Sequence, residues 1–145
     1  MVKIWPDGSF SGYYSDFDMG NPNTDHPNGI VTECSFGGKF TALQKTGAFT
    51  YSMKCESLTI NGTVGEEKII DGVQYITADP YGFDQADEFI LYLPGKKVSE
   101  LPEPFWQWIA WQINGPLYSD TIDILPCYGL YNVGGEEGFS TNITH

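Results

Sequence analysis

Alternation of apolar and polar residues constrains this chain more than any other feature of its sequence. Segment 47–56 alternates most clearly, and its predicted inward side consists of Phe49, Tyr51, Met53 and Cys55. Segment 30–36 repeats the pattern, with an inward side of Ile30, Thr32, Cys34 and Phe36. A period of two residues is typical of a half-buried β-strand, so both segments are predicted to be strands.

Further strands follow from turn residues and apolar runs. Asp71-Gly72, between 68–70 and 73–78, is a strong signal for a type I′ hairpin. Gly37-Gly38 predicts a turn before a strand at 39–45, and 9–14 reads as an opening strand. Segment 88–93 is apolar on both sides, which predicts a central or covered strand.

The C-terminal part predicts a last pair of strands and a tail. The pair comprises 121–125 and 128–133 around Pro126. The residues after about 134 are expected to be loosely ordered, since nothing in their sequence ties them down.

Segment 102–114 breaks the strand pattern and predicts a helix. Prolines stand at its start and Asn114-Gly115 at its end, the usual asymmetry of helix termini. Its predicted inward stripe, at helical spacing, consists of Phe105, Trp106, Ile109 and Ile113.

These elements predict a mostly β fold: a single-domain antiparallel β-barrel or β-sandwich over 1–145, with one packed α-helix near residues 102–114. The glycine-rich opening strand, the hairpins and the single helix resemble calycin-like barrels at the level of architecture. The sequence lacks the lipocalin signature, so the resemblance concerns the fold alone, and ligand binding inside a barrel does not follow from it.

Charge narrows the classes of partner. Nineteen acidic residues stand against seven Lys and no Arg, a formal net charge of -12. Direct nucleic-acid binding and anionic membrane surfaces are therefore not expected, because both favour clustered Lys and Arg.

The cysteines and the apolar runs bear on the compartment. Cys34, Cys55 and Cys127 show no CxxC and no zinc spacing, which favours reduced, buried thiols in a cytoplasmic protein. The alternative is a secreted protein whose leader was removed and in which Cys34 and Cys55 form a disulfide. The longest uncharged apolar stretch, 105–117, is too short and too polar to span a membrane.

The outer side of the predicted helix is the leading candidate for binding. It carries Trp108 and Trp111, together with Gln107 and Gln112, and has no charge beyond Glu103. An uncharged, Trp-bearing surface in so acidic a chain predicts contact with a protein partner or a second copy of the chain, unless another segment of the chain folds over it. The leading hypothesis is thus a non-catalytic binding domain.

The first long loop raises one alternative to the expectation of no cofactor. Its oxygen-bearing side chains Asp16, Asp18, Asn21 and Asp25 would suit a calcium ion. Their spacing departs from an EF-hand, and such residues are also the ordinary components of turns.

Three other functions remain open. An acidic inhibitor that mimics nucleic acid would place its acidic groups on one face. A small hydrolase would bring together two carboxylates from Asp16, Asp18, Asp84 and Asp87. A barrel could instead hold a small apolar ligand.

Overall fold

The computed structural model describes residues 1–114 and 122–140, apart from the side chains of Trp111 and Asn114. These residues form ten β-strands, one 3-10 turn at Val98–Glu100 and one α-helix, α1, at Glu103–Asn114. The strands are β1 Val2–Ile4, β2 Ser9–Asp18, β3 Gly29–Phe40, β4 Gln44–Gly47, β5 Thr50–Ile60, β6 Glu67–Ile70, β7 Val73–Thr77, β8 Glu88–Tyr92, β9 Gly129–Asn132 and β10 Glu137–Ser140. The predicted class, mostly β and largely antiparallel with one α-helix near 102–114, is confirmed.

The chain divides into two compact units. The first comprises Met1–Phe40 and Glu56–Tyr81, and the second comprises Thr41–Cys55 and Gly82–His145. Strand β5 therefore contributes residues to both. That the whole chain is a single domain stays a prediction.

The first unit is organised by the pairing of β2 with β3. Ten antiparallel pairs run without a register shift from Ser9 opposite Lys39 to Asp18 opposite Ile30. Strand β1 pairs with β2, while β7 pairs in parallel with β3 and antiparallel with β6. The buried side of these strands carries Phe10, Cys34, Phe36 and Phe40. The predicted alternation over 30–36 is confirmed at Cys34 and Phe36.

The predicted hairpin between β6 and β7 is also confirmed. Asp71 and Gly72 have φ values of 53° and 77°, as a type I′ turn requires. Glycine tolerates this left-handed region without strain, and Asp is among the residues that enter it most readily.

The prediction of a turn at Gly37-Gly38 is wrong, because β3 runs through both glycines to Phe40. A Cβ on Gly38 would meet the backbone oxygen of Ser57, on the neighbouring strand β5. The glycine thus serves a close backbone approach within a strand and not a reversal of the chain.

The prediction of a continuous strand over 47–56 needs a similar correction. Strand β4 ends at Gly47 and β5 begins at Thr50, with Phe49 in the left-handed region at φ 56°. Phe49 is 46% exposed, whereas Met53 is buried as predicted.

The second unit is built around Phe105 of α1. Its ring centroid lies 5.1 Å from that of Tyr92 and 5.2 Å from that of Tyr131. Phe105 and Ile109 are fully buried, as the helical stripe predicted. Strand β8 is central, paired with β5 on one side and β9 on the other, which confirms the interpretation of segment 88–93.

The C-terminal strands differ from the prediction. Strand β9 pairs with β8 on one side and with β10 on the other, and β10 lies in the stretch expected to be loosely ordered. Within 122–128 the structure has only an isolated bridge between Lys97 and Ile124. The sequence signal for β10 is weak because Gly138 lacks a side chain, and that position is occupied by the Phe105 ring.

We expect Gly38→Ala to lower the free energy of unfolding by about 1–3 kcal/mol, since the added methyl group meets a backbone atom that cannot rotate away. Gly47→Ala is the matched control, because a Cβ there has no neighbour closer than 3.9 Å. Urea denaturation of both variants measures the difference, and equal stabilities would contradict the packing described for β3.

Candidate functional site

The exposed side of the first unit carries a row of aromatic and apolar side chains. Phe17 on β2 lies opposite Val31 on β3, which lies opposite Tyr75 on β7. Adjacent strands are about 4.8 Å apart, so Phe17 and Tyr75 are about 10 Å apart across the sheet. Lys68 on β6 pairs with Tyr75 and ends the row.

Neighbouring residues on the same side extend this row into a surface. We call this surface the aromatic face, and it consists of Tyr13, Phe17, Val31, Ile70, Val73 and Tyr75. Of these side chains, Phe17 is 60% exposed, Tyr13 49% and Ile70 48%, and the other three are half-buried. These residues share one side because cross-strand partners in a sheet point the same way.

The charge on this side of the sheet opposes the charge of the whole chain. Among the residues of β1, β2, β3, β6 and β7 that point this way, the charged ones are Lys3, Lys39, Lys68 and Glu33. Three of the seven lysines therefore lie on the same side of the sheet as the aromatic face. The Tyr13 hydroxyl donates a 3.2 Å hydrogen bond to Glu33 Oε2.

The acidic residues of these strands other than Glu33 point to the opposite side. Asp16 and Asp18 alternate with Phe17 along β2, and Glu67 alternates with Lys68 along β6. Strand alternation thus separates a positive, aromatic side from a negative one within a chain of net charge -12.

A shallow depression of about 500 Å³ lies at the β1–β2 turn, lined by Trp5, Pro6, Asp7 and Ser9. Ser9 pairs with Lys39, so the depression adjoins the Lys39 end of the strands. Hydrogen bonds from the Ser9 hydroxyl and backbone N–H lower the pKa of Asp7, which therefore remains ionised beside the depression.

A second cluster, in the other unit, joins β9, β10 and the loop before β8. The side chain of Asn132 is fully buried and donates from Nδ2 to the carbonyl oxygens of Gly82 at 3.1 Å and Asp84 at 2.8 Å. Gly135 N–H donates to Asn132 Oδ1 at 3.4 Å. The amide therefore fastens the loop to β9.

Glu137 of β10, opposite Asn132, is the buried acid of this cluster. It is 9% exposed, and its Oε2 atom accepts no hydrogen bond from the described residues. Burial raises the pKa of Glu137 to about 8, helped by a hydrogen bond with the Asp84 carboxyl and by that group's charge, while the Gly82 N–H opposes the shift. Glu137 therefore keeps its proton at neutral pH, and we call Asp84 and Glu137 the carboxyl pair.

The residues predicted to bind calcium make local bonds. Asp16 Oδ1 accepts from Phe17 N at 3.0 Å, and Asn21 Oδ1 accepts from Asn23 N at 3.0 Å. Asp25 Oδ1 lies 3.0 Å from His26 Nδ1, and Asp18 is exposed at the end of β2. In the part of the chain that is described, no three His, Cys, Asp or Glu side chains converge as metal ligands. Calcium at these four residues stays a prediction.

The helix surface predicted to bind a partner is only partly described. Trp108 is half-buried and packs against the core around Phe105, while Gln107 and Gln112 are exposed. Gln112 donates to the Trp108 carbonyl at 3.0 Å and accepts from Ser140 Oγ at 3.0 Å. The side chain of Trp111 lies outside the described residues, so this surface stays a prediction.

None of the three cysteines forms a disulfide within the described residues, and Cys34 and Cys127 are buried. Burial raises the pKa of Cys34, and the charge of Asp79 raises it further. A thiol with a raised pKa is a poor nucleophile at neutral pH.

Within residues 1–114 and 122–140, no helix is long and apolar enough to cross a membrane.

The sequence alone did not predict the aromatic face or the carboxyl pair, because in each case a residue was assigned to the wrong local structure. It assigned Phe17 to a loop, although the alternation of β2 continues to Asp18. It assigned Glu137 to the tail, although Gly134-Gly135 before it signals a turn.

Comparison of the chain with protein-family models, curated proteins and solved structures finds no match.

We expect Glu137→Gln to remove a pH dependence of stability. The folded protein keeps this proton to a pH near 8, whereas the unfolded chain loses it near 4.5. The stabilisation from Glu137 is therefore complete below pH 4.5 and declines as the pH rises towards 8, at about 1.4 kcal/mol per pH unit.

Urea denaturation of the wild type, Glu137→Gln and the exposed control Glu136→Gln, from pH 4.5 to 8.5, measures this decline. Relative to the wild type, the Glu137→Gln variant should gain stability as the pH rises, and the control should not. Parallel curves for all three proteins would contradict the buried proton.

Proposed function

We propose that this protein is a non-catalytic binding domain that docks a protein segment on its aromatic face. The segment that fits carries apolar side chains flanked by Asp or Glu. The observation that carries the proposal is the joint placement of exposed aromatic residues and Lys3, Lys39 and Lys68 on one side of the sheet, in a strongly acidic chain.

The aromatic side chains provide the apolar contact. Phe17 and Tyr13 lie four residues apart on β2, roughly 13 Å along the strand, and Tyr75 lies two strands from Phe17. A surface of this size accommodates a short extended segment. Aromatic residues near the centre of an interface commonly supply most of its binding energy, because they lose a large apolar area to the partner.

The lysines select the charge of the partner. At physiological ionic strength the Debye length is about 8 Å, so Lys68, in register with Tyr75, acts more strongly on a segment docked there than Lys39, which lies opposite Ser9 at the far end of the strands. Lys68 lies directly beside Tyr75 in register, where it can reach an acidic residue next to the apolar contact. Glu33 is already hydrogen-bonded by Tyr13.

The other functions considered receive less support from the structure. An acidic mimic of nucleic acid would present an acidic surface, whereas the exposed side of this sheet carries three lysines. In the carboxyl pair, Glu137 is 9% exposed, which keeps its carboxyl from a substrate. A hydrolase would need it accessible.

Selection from a displayed random dodecapeptide library tests the proposal. We expect enriched peptides to combine aromatic or aliphatic residues with Asp and Glu. Phe17→Ser should weaken the Kd of a synthetic enriched peptide by about 30-fold, since central aromatic residues contribute about 2 kcal/mol or more.

Charge reversal separates electrostatic from apolar contributions. Lys68→Glu should weaken the same peptide by about tenfold, equivalent to about 1.4 kcal/mol, and this loss should shrink as salt is added. Lys45→Glu, on the exposed strand β4, and Met19→Ser, at a position 88% exposed in the loop after β2, are the matched controls and should leave the Kd unchanged. Enrichment of basic peptides, or equal losses in variants and controls, would overturn the proposal.

A further inference from the structure

The loop 82–87 covers an apolar cluster in the second unit. Its Phe83 is 3% exposed, and its ring centroid lies 5.1 Å from that of Phe89 and 5.7 Å from that of Phe139. The loop turns through two left-handed residues, Gly82 at φ 86° and Gln85 at φ 50°. A non-glycine residue in this region is unfavourable unless its surroundings hold it there.

The packing of Phe83 against Phe89 and Phe139 and a 2.7 Å hydrogen bond from Cys55 N–H to the Asp87 carbonyl oxygen hold this loop at any pH. Two further contacts come from β9 and β10, and only the one from β10 can titrate. Asn132 binds the carbonyl oxygens of Gly82 and Asp84 at any pH. The carboxyl pair needs a proton, because Glu137 Oε2 is buried and has no donor among the described residues. A protonated Glu137 donates to Asp84, whereas an ionised Glu137 repels it.

The titratable side chains of the packed elements do not relieve this repulsion. The loop carries Asp84 and Asp87, β8 begins with Glu88, the turn before β10 carries Glu136, and α1, which packs on β10, carries Glu103. Strand β9 contributes Tyr131, whose pKa is raised by burial and by the charge of Glu136. None of these side chains can carry a positive charge, so deprotonation of Glu137 meets no cation on these elements.

We infer that the carboxyl pair is a proton-controlled latch, which holds the loop 82–87 over Phe89 and Phe139 and releases it when Glu137 ionises. Asp84 is exposed and belongs to the loop, so outward movement of the loop increases the distance between its charge and that of the ionised Glu137. That movement withdraws Phe83 and uncovers an apolar site formed by Phe89 and Phe139. The latch involves the second unit alone and is independent of the aromatic face.

Chymotrypsin cleavage after Phe83 tests the latch on the full-length chain. The rate at each pH is divided by the rate on a free peptide spanning 79–88, which removes the pH dependence of the protease. In the wild type we expect the ratio to stay low below pH 7 and to rise by about tenfold between pH 8 and 9. Mass spectrometry identifies the cleaved bond.

Three variants make the result specific. Glu137→Gln should hold the ratio low across the range, because the amide donates to Asp84 without a titratable proton. Asp84→Asn should also hold the ratio low across the range, since it removes the repulsion and its amide can donate to the ionised Glu137. The exposed neighbour Glu136→Gln should behave as the wild type. A constant ratio in the wild type, or an equal rise in Glu137→Gln with an unchanged near-ultraviolet circular dichroism spectrum, would overturn the latch.

Discussion

The register between β2 and β3 is the constraint on which the candidate binding surface depends. Side chains alternate along a strand, so the ten pairs from Ser9–Lys39 to Asp18–Ile30 decide which residues are buried and which face the solvent. A slip of β3 by one residue would move Phe36 outward and Val31 inward. The burial of Phe10, Cys34 and Phe36 fixes that register, and the aromatic face is its consequence on the other side of the sheet.

Among its described residues, the second unit combines a largely aromatic core with a buried carboxyl, Glu137, whose Oε2 atom has no hydrogen-bond partner. Phe105 packs between Tyr92 and Tyr131, and burial raises the pKa of Tyr92 to about 12, so its hydroxyl stays neutral over the ordinary pH range. Glu137 is different, because its pKa of about 8 lies within that range. A buried carboxyl lowers the stability of the fold relative to an amide side chain such as Asn or Gln. Ionisable groups with strongly shifted pKa values are frequent at functional sites, where their titration is used.

Much of the fold could be predicted from the sequence where a local pattern determines the structure. The alternation over 30–36, the Asp71-Gly72 turn and the helical stripe of Phe105 and Ile109 each identified the right element, because one side of each is buried. Gly38 and β10 were not predictable locally. Gly38 serves an approach to Ser57, and β10 depends on the Phe105 ring, so both reflect contacts between distant segments. The sites were missed for the same reason: Lys3, Lys39 and Lys68 come to one side of the sheet only through strand pairing.

Chemical-shift mapping of the folded protein with an enriched acidic peptide is the most direct test of the central claim. The account predicts that the largest amide and side-chain perturbations fall on Tyr13, Phe17, Val31, Lys68 and Tyr75, on three adjoining strand pairs. Perturbations confined to α1 around Trp108, or to the side of the sheet that carries Asp16 and Asp18, would contradict it.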